Sequence, residues 1–235
     1  MSKIIKFALA GAGALVLARG GIAEAQGLGP WNGFYLGTHI GSSWSDTSSS
    51  TTNTVTGASV GSGTTSNSNP NGGLQAGYDL TMSNRVVLGA VASVSLVDST
   101  DSTTTSNAAG SVVSTNKGST DWSGSVRGRL GYAFNNTLIF GTGGWAWSTG
   151  SNTRTQVAGV AGLATPGTTE TAGITHSGWT LGGGIEFAFM PQWTVFGEYR
   201  HTEFGTENIT FPIAQRLTKS TTTADGLTFG LNYKF

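Results

Sequence analysis

Three alternating segments at the C-terminal end of the chain constrain its fold most strongly. They run from 176 to 190, from 193 to 204 and from 223 to 235. The polar positions of the alternation include four ionisable residues, which are Glu186, Glu198, Arg200 and Lys234. A period of two predicts β-strands with two different faces. Because a soluble sandwich gives the same alternation with its charged face in water, these segments alone leave the environment open.

The rest of the chain adds five more strands of similar length. The eight predicted strands cover 33–45, 72–82, 85–97, 120–134, 137–148, 176–190, 193–204 and 223–235. Each reaches the roughly 9–11 residues that a tilted membrane-spanning strand requires. The connections alternate in length. Tight turns at 83–84, 135–136 and 191–192 alternate with tracts rich in Ser and Thr at 46–69, 98–118, 149–175 and 205–222.

This alternation of connections favours a membrane barrel over a sandwich. An outer-membrane barrel has short periplasmic turns and long external loops, whereas a sandwich has no reason to place every long loop at one end. In lipid a sheet cannot leave open edges, so the strands must close. We therefore predict an all-β fold, an eight-stranded antiparallel up-and-down transmembrane β-barrel.

Aromatic residues near the strand ends support this prediction. One group adjoins the long tracts and comprises Trp44, Trp122, Trp147 and Trp179. A second group adjoins the short turns or the chain ends and comprises Phe34, Phe134, Phe189, Trp193 and Phe235. Aromatic side chains anchor barrels at both membrane interfaces, so two groups predict two girdles.

The composition excludes several classes of protein. Charged residues make up 10% of the chain, which is low for a soluble domain, where about 25% is usual. A secreted Ser/Thr-rich β-sandwich remains the alternative. The chain has no Cys, which excludes disulfides and cysteine nucleophiles. Its net charge of zero argues against nucleic acid as a partner.

The N-terminal residues have the order of a secretory signal peptide. Lys3 and Lys6 precede an apolar run from 7 to 18, and the small residues Ala23 and Ala25 follow on either side of Glu24. We predict cleavage after Ala25, so that 1–25 is a signal peptide and 26–235 is the barrel domain.

The parity of each strand assigns its side chains to the barrel interior or exterior. The polar residues predicted to face inward are His39, Gln75, Asp79, Arg127, Arg129, Glu186, Glu198, Arg200, Asn232 and Lys234. Four cations meet three carboxylates in this set, and buried charges persist only when they are paired. We expect a salt-bridge network that fills the narrow barrel. A narrow polar path and a small-molecule site remain open as alternatives.

Several segments resemble the small porin-like outer-membrane β-barrel proteins of Gram-negative bacteria, especially alphaproteobacteria. These segments are WNGFYLGTHIG, SGSVRGRLGYAF, LIFGTGGWAW, SGWTLGGGIEFAFMPQWTVFGEYRHTEFG and the terminal LTFGLNYKF. The likeness covers the strands and short turns and leaves out the long tracts. It implies an architecture similar to the eight-stranded transmembrane domain of OmpA. It also implies that the terminal Phe235 is recognised by the barrel-insertion machinery.

The chain departs from the family in its third strand. Carboxylates are common there in the family where this chain has Val91 and Ser93. We therefore expect Asp79, Glu186 and Glu198 to provide more of the pairing for the arginines. No periplasmic domain is expected after the terminal aromatic residue.

No catalytic, metal or cofactor site is predicted. His39, His176 and His201 are far apart in sequence and differ in predicted orientation, and no Ser/His/acid group is evident. The pair Glu186 and Glu198 resembles an acid–base pair, but the nearby arginines favour salt bridges. The glycines at 182–184 lie within a strand, which excludes a phosphate loop.

The expected function is that of a non-enzymatic integral protein of the outer membrane that supports envelope integrity and presents four long external loops. Its expected partners are outer-membrane lipid and lipopolysaccharide, the insertion machinery and an external ligand at the loops. The alternatives are a small porin that passes ions or small solutes, and a surface protein that adheres through its loops.

Overall fold

A computed structural model describes residues 29–106, 112–156, 167, 169–211 and 215–235. The predicted signal peptide, 1–25, lies outside the described residues. A short 3-10 turn, Gly29–Trp31, precedes the first strand. Within the described residues, no helix is long and apolar enough to cross a membrane.

The described residues form eight strands that close into a barrel. The strands are β1 (Gly33–Asn53), β2 (Ser59–Thr81), β3 (Val86–Ser106), β4 (Val112–Phe134), β5 (Thr137–Gln156), β6 (Thr169–Met190), β7 (Trp193–Phe211) and β8 (Arg216–Lys234). Each strand pairs antiparallel with the next, and β8 pairs with β1. The predicted all-β fold with an antiparallel ring is confirmed.

The pairing register fixes the tilt of the strands. Register partners followed around the ring from Tyr35 of β1 return to β1 at Ser45, ten residues further along. For eight strands at the usual spacings, this offset corresponds to a tilt of about 40°. Each residue therefore advances about 2.5 Å along the barrel axis.

The outside of the barrel carries an apolar band. On β1 this band runs from Leu36 through Ile40 to Trp44, and all three side chains are exposed. Exposed apolar residues of the other strands include Leu74, Leu80, Leu96, Val126, Leu130, Ile139, Trp145, Leu181, Ile185, Phe187, Val195 and Phe229. A continuous exposed apolar surface of this kind is stable when hydrocarbon covers it.

Aromatic contacts border the band at the end with the tight turns, which we call the turn end. The ring of Tyr233 lies 5.1 Å from Trp193 and 5.0 Å from Phe235, and the ring of Phe235 lies 5.7 Å from Phe34. The backbone N–H of Phe235 also donates to the carbonyl of Phe34 over 3.0 Å. The C-terminal residue thus helps close the seam between β8 and β1.

The opposite end, which we call the hairpin end, differs from the sequence prediction. Most of the tracts predicted as long irregular loops continue the strands, so the prediction was wrong in extent. Between β1 and β2, for example, the connection shortens to five residues, 54–58. Strands of 19–23 residues rise about 50 Å along the axis, which is twice the height of an apolar band of about 25 Å.

The strand extensions escaped prediction because their side chains alternate in orientation but not in polarity. Thr, Ser and Asn occupy both faces, so no period of two is visible in hydrophobicity. Thr favours strands, and neighbouring hydroxyls bond across the pairs. Thr47 and Thr222 are 2.9 Å apart, and Thr51 and Thr218 are 3.0 Å apart.

Candidate functional site

The barrel interior holds two layers of charged side chains. We call the layer nearer the short turns the turn-end layer; its ionisable residues are Asp79, Arg129, Glu186 and Lys234. The second layer, the hairpin-end layer, contains Arg127, Glu198, Arg200 and His39. Seven of these eight side chains are buried, and Arg200 is partly exposed.

Arg129 is the centre of the turn-end layer. Its Nη1 donates to Asp79 over 3.0 Å, and its Nη2 donates to Glu186. The guanidinium also lies over the ring of Phe140, 4.0 Å from its centroid. Two carboxylates and an aromatic face thus replace water around the two terminal nitrogens, while the buried Nε finds no hydrogen-bond partner among the described residues.

Lys234 completes the charge balance of this layer. Its ammonium group donates to Asp79 over 3.2 Å. It also lies 5.2 Å from the ring centroid of Trp31 and 5.1 Å from that of Tyr35. The layer contains two cations and two carboxylates, so its formal charge is zero.

Neutral groups satisfy the remaining acceptor sites of Glu186. The hydroxyl of Thr194 and the amide of Asn232 both donate to one carboxylate oxygen, the second over 3.0 Å. Asn232 in turn accepts from the amide of Gln75 over 2.7 Å. A buried carboxylate with this many donors is stabilised in its charged form.

Trp31 closes the turn end of the interior. Its side chain is buried and packs with Val87, Leu138 and other apolar residues. Its indole N–H donates to the backbone carbonyl of Asn135 over 3.0 Å. The segment before β1 therefore folds across the end of the barrel and covers the turn-end layer.

Arg127 and Glu198 form the core of the hairpin-end layer, where they make a buried ion pair. The hydroxyl of Thr142 accepts from Arg127 over 3.1 Å and donates to Glu198 over 2.7 Å. A second nitrogen of Arg127 donates to Ser125 over 3.1 Å. Thr142 therefore contacts both members of the ion pair, and Ser125 binds Arg127 alone.

Arg200 and His39 are bound less tightly in the same layer. Arg200 lies 3.8 Å from Glu198 and donates to Thr228 over 3.4 Å, and its side chain is 20% exposed. His39 is buried and shares a 2.8 Å hydrogen bond with Ser95. With two arginines and one carboxylate, this layer carries an excess positive charge when His39 is neutral.

The space between the two layers is small. A cavity of about 10 Å³ lies there, lined in part by Val91, Phe140 and Phe196. A space of this size is about the smallest that can hold one water molecule. Val91, Phe140 and Phe196 give the cavity an apolar wall between the two charged layers.

Close backbone packing makes room for the charged side chains. At Gly89, an added Cβ would lie 2.1 Å from the carboxylate of Asp79. At Gly182 it would lie 2.7 Å from the side chain of Arg200, and at Gly184 it would lie 2.8 Å from the ring of Phe140. Gly182 and Gly184 thus leave space for inward side chains of neighbouring strands.

The structure places the sequence-predicted residues in one interior, divided into two layers that the sequence did not distinguish. The sequence analysis did not predict that Trp31 lies inside the barrel. This residue precedes the first strand, so strand parity could not assign its orientation. It also did not predict the inward orientation of Phe196. The available signal was strand parity, because Phe196 lies two residues from the inward Glu198.

The other histidines lie apart from this interior network. His201 and Tyr199 both contact Asp225, over 2.8 Å and 2.6 Å, on the outside of the barrel. His176 lies 6.1 Å from the ring of Phe204. Among the described residues, no group of three His, Cys, Asp or Glu side chains has the arrangement of a metal site.

Comparisons with known proteins agree with this architecture. The 31 kDa outer-membrane immunogenic protein of Brucella melitensis is 35% identical over 167 residues, which cover 70% of this chain and 65% of the relative. The 22 kDa outer membrane protein of Rhizobium leguminosarum is 32% identical over 83 residues, which cover 35% of this chain and 33% of the relative. This chain thus spans 65% of the length of the Brucella relative.

The crystal structure of the outer membrane protein OprG from Pseudomonas aeruginosa has a similar fold. Its TM-score is 0.50 with 14% sequence identity, and the alignment covers 88% of this chain and 98% of OprG. The family model described as outer membrane protein beta-barrel domain matches residues 12–235. The chain therefore belongs to the family of outer-membrane β-barrel domain proteins, which are located in the outer membrane of Gram-negative bacteria.

Proposed function

We propose that the protein is a closed, eight-stranded structural barrel that contributes to the integrity of the outer membrane, has no enzymatic activity and has lost its signal peptide in the mature form. The observation that carries this proposal is the paired charge of the interior. Arg129 with Asp79 and Glu186, and Arg127 with Glu198, join strands that are not neighbours in the ring.

The small cavity and the Trp31 cap support a closed barrel. A conducting pore needs a continuous water-filled path, and porins with such paths have many more strands. Here two layers of charged side chains, most of them paired, cross the interior, with room between them for about one water molecule. We therefore favour the structural role over a porin that passes ions or small solutes.

Planar-bilayer recording of the refolded protein tests this choice. We expect no steady conductance from the wild type. A steady conductance that disappears in an Arg127→Ala/Arg129→Ala variant would establish the porin function instead. An Arg85→Ala variant, which removes an exposed charge at a tight turn, serves as the matched control.

The partners that we propose follow from the surface of the barrel. Outer-membrane lipid and lipopolysaccharide cover the apolar band, and the insertion machinery binds the C-terminal strand with its exposed Phe235. An external ligand would meet the strand extensions at the hairpin end. Extraction offers a simple test, since a protein released from membranes without detergent would not be an integral barrel.

A further inference from the structure

The filling of the barrel interior ends near the hairpin-end layer. On β1, the inward side chains of Tyr35 and His39 are buried. Beyond His39, every inward position of this strand from Gly41 to Thr51 is partly exposed. These positions are Gly41, Ser43, Ser45, Thr47, Ser49 and Thr51, which carry small side chains or none. They border a water-accessible space that runs from the hairpin-end layer towards the hairpin end, and we call this space the vestibule.

Arg200 lies at the floor of the vestibule. Its register partners, Gly182 in β6 and Gly226 in β8, have no side chains. The side chain of Arg200 is 20% exposed, whereas that of Arg127 in the same layer is 2% exposed. A Cβ added at Gly226 would have its nearest neighbour at 3.6 Å, in ordinary contact. The inner surface beside Arg200 therefore has room on the β8 side.

The guanidinium of Arg200 has fewer acceptors than that of Arg127. A guanidinium carries five N–H donors. Arg127 makes three hydrogen bonds to side chains, whereas Arg200 has one among the described residues, a 3.4 Å bond to Thr228. The buried Nε of Arg200 has no hydrogen-bond partner and lies 3.8 Å from Glu198. A buried donor without an acceptor costs free energy, so this side chain favours an additional acceptor.

His39 offers a second donor at the same level. Its Nε2 lies 2.8 Å from the hydroxyl of Ser95, and its Nδ1 has no hydrogen-bond partner in the part of the chain that the structure describes. A neutral imidazole carries its proton on either nitrogen, so Nδ1 can donate when Ser95 donates to Nε2. The charge of Arg200 acts on His39, which shows that the two side chains are neighbours.

The charge at the floor of the vestibule is positive. Glu198 contacts both Arg127 and Arg200, whose charges repel each other. Nearer the hairpin end, the inward cations and carboxylates whose side chains the structure describes are balanced; they are Arg154, Arg216, Glu170 and Glu207. Other described charges beyond this level do not enter the vestibule: Asp46, Lys117, Glu203, Lys219 and Asp225 lie on the outside, and Asp121 is exposed at a bulge. The excess positive charge therefore stays with Arg200.

We propose that Arg200, with His39 beside it, binds a small oxyanion at the floor of the vestibule, and that inorganic phosphate is the simplest anion of this class. The planar fork of a guanidinium matches two oxygens of one oxyanion. The anion would supply the missing acceptors and compensate the excess charge. Because the two charged layers lie below it, the site is closed at one end and needs no conducting path.

The anion that fits this site is free in solution and is not part of a lipid. β7 stays hydrogen-bonded to β6 and to β8 on both sides of Arg200, so the wall of the barrel separates the site from lipid headgroups. An eight-stranded barrel also encloses room for side chains or one small ligand. The anion must therefore enter from the hairpin end, along the vestibule.

NMR of the arginine side chains tests the proposal on the refolded full chain without a change in its sequence. The protein is held in a non-ionic detergent, which contributes no phosphate. We expect phosphate to shift the Nε–Hε resonance of Arg200, identified by its loss in Arg200→Lys, until the shift saturates. Chloride at the same ionic strength should leave this resonance in place. If phosphate does not move it, or if chloride moves it equally, water completes the hydrogen bonds of Arg200 and the proposal is wrong.

Calorimetric titration of two charge variants tests the location. Arg200→Gln should weaken phosphate binding at least about tenfold, because it removes the charge and the fork together. Arg216→Gln makes the same change in net charge near the hairpin end, and its affinity should stay close to wild type. An equal loss in both variants would mean that phosphate responds to net charge and not to Arg200. Heat-modifiable mobility on gels verifies that each variant is folded.

A pair of glycine variants tests whether the anion occupies the space beside Arg200. Gly226→Leu fills this space from the inner face of β8 and should weaken phosphate binding at least about tenfold. Gly128→Leu adds the same side chain on the outer face of β4, where an added Cβ has its nearest neighbour at 3.7 Å, and should bind as wild type does. Wild-type affinity in Gly226→Leu would overturn the site at the floor of the vestibule.

Discussion

The guanidinium of Arg129 lies 3.0 Å from the carboxylate of Asp79, although their strands, β4 and β2, are separated by β3. The contact exists because both side chains point into a narrow ring, where non-neighbouring strands meet. Ion pairs of this kind fasten the barrel across its interior in addition to the ladder of hydrogen bonds along its wall.

Removing one member of this network should destabilise the barrel strongly. Arg129→Met leaves two buried carboxylates without their common partner, and we expect a loss of about 3–5 kcal/mol in the free energy of unfolding. Urea unfolding in lipid vesicles measures the change. Lys117→Met, at an exposed position, is the control and should stay close to wild type. Equal stability of Arg129→Met and wild type would mean that the network contributes nothing.

The close contact between Gly89 and Asp79 gives a second prediction. In Gly89→Ala the new methyl group overlaps the carboxylate that binds Arg129, so we expect a loss of about 1–3 kcal/mol. Gly128→Ala is the matched variant on the neighbouring strand, where the nearest atom is 3.7 Å from the added Cβ. The same unfolding assay should find Gly128→Ala nearly neutral, and a reversed order would contradict the packing described here.

Trp31 is expected to stabilise the turn end. Trp31→Ala removes a buried indole and the hydrogen bond to Asn135, at a cost of about 3–5 kcal/mol. Trp145→Ala, which truncates an exposed side chain of the apolar band, tests whether any Trp would have the same effect. A smaller loss for Trp31→Ala than for Trp145→Ala would argue against a cap.

We expect Phe235 to affect assembly of the barrel into the outer membrane more than the stability of the folded barrel. We expect Phe235→Ala to reduce the amount of folded protein in the outer membrane several-fold, measured by the heat-modifiable mobility of the barrel on gels. Phe189→Ala changes another exposed aromatic residue at the turn end and should assemble normally. Equal yields of the two variants would remove the special role of the last residue.

The predicted signal peptide has its own test. The mature protein purified from outer membranes should begin at Gln26, because cleavage is expected after Ala25. Mass spectrometry of the N-terminal peptide measures this directly. A mature chain that retains Lys3 and Lys6 would contradict the prediction.

The local sequence determined which side chains face inward. Strand parity placed Asp79, Arg129 and Glu186 on one side and Leu130 and Ile185 on the other, because a strand alternates its faces whatever its partners are. Low charge and alternating connection lengths also indicated a membrane barrel. Both can be read along the chain without knowing which strands pair.

Tertiary structure decided which of these residues meet. The register offset around the ring places Arg129 between Asp79 and Glu186, and it places Arg127 beside Glu198. This offset is a property of the closed ring, so the sequence of one strand does not reveal it. Tertiary structure also decided that most of the Ser/Thr tracts extend the strands. Hydroxyl-rich strands have no difference in polarity between their faces, so their pairing depends on neighbours that only the folded barrel brings together.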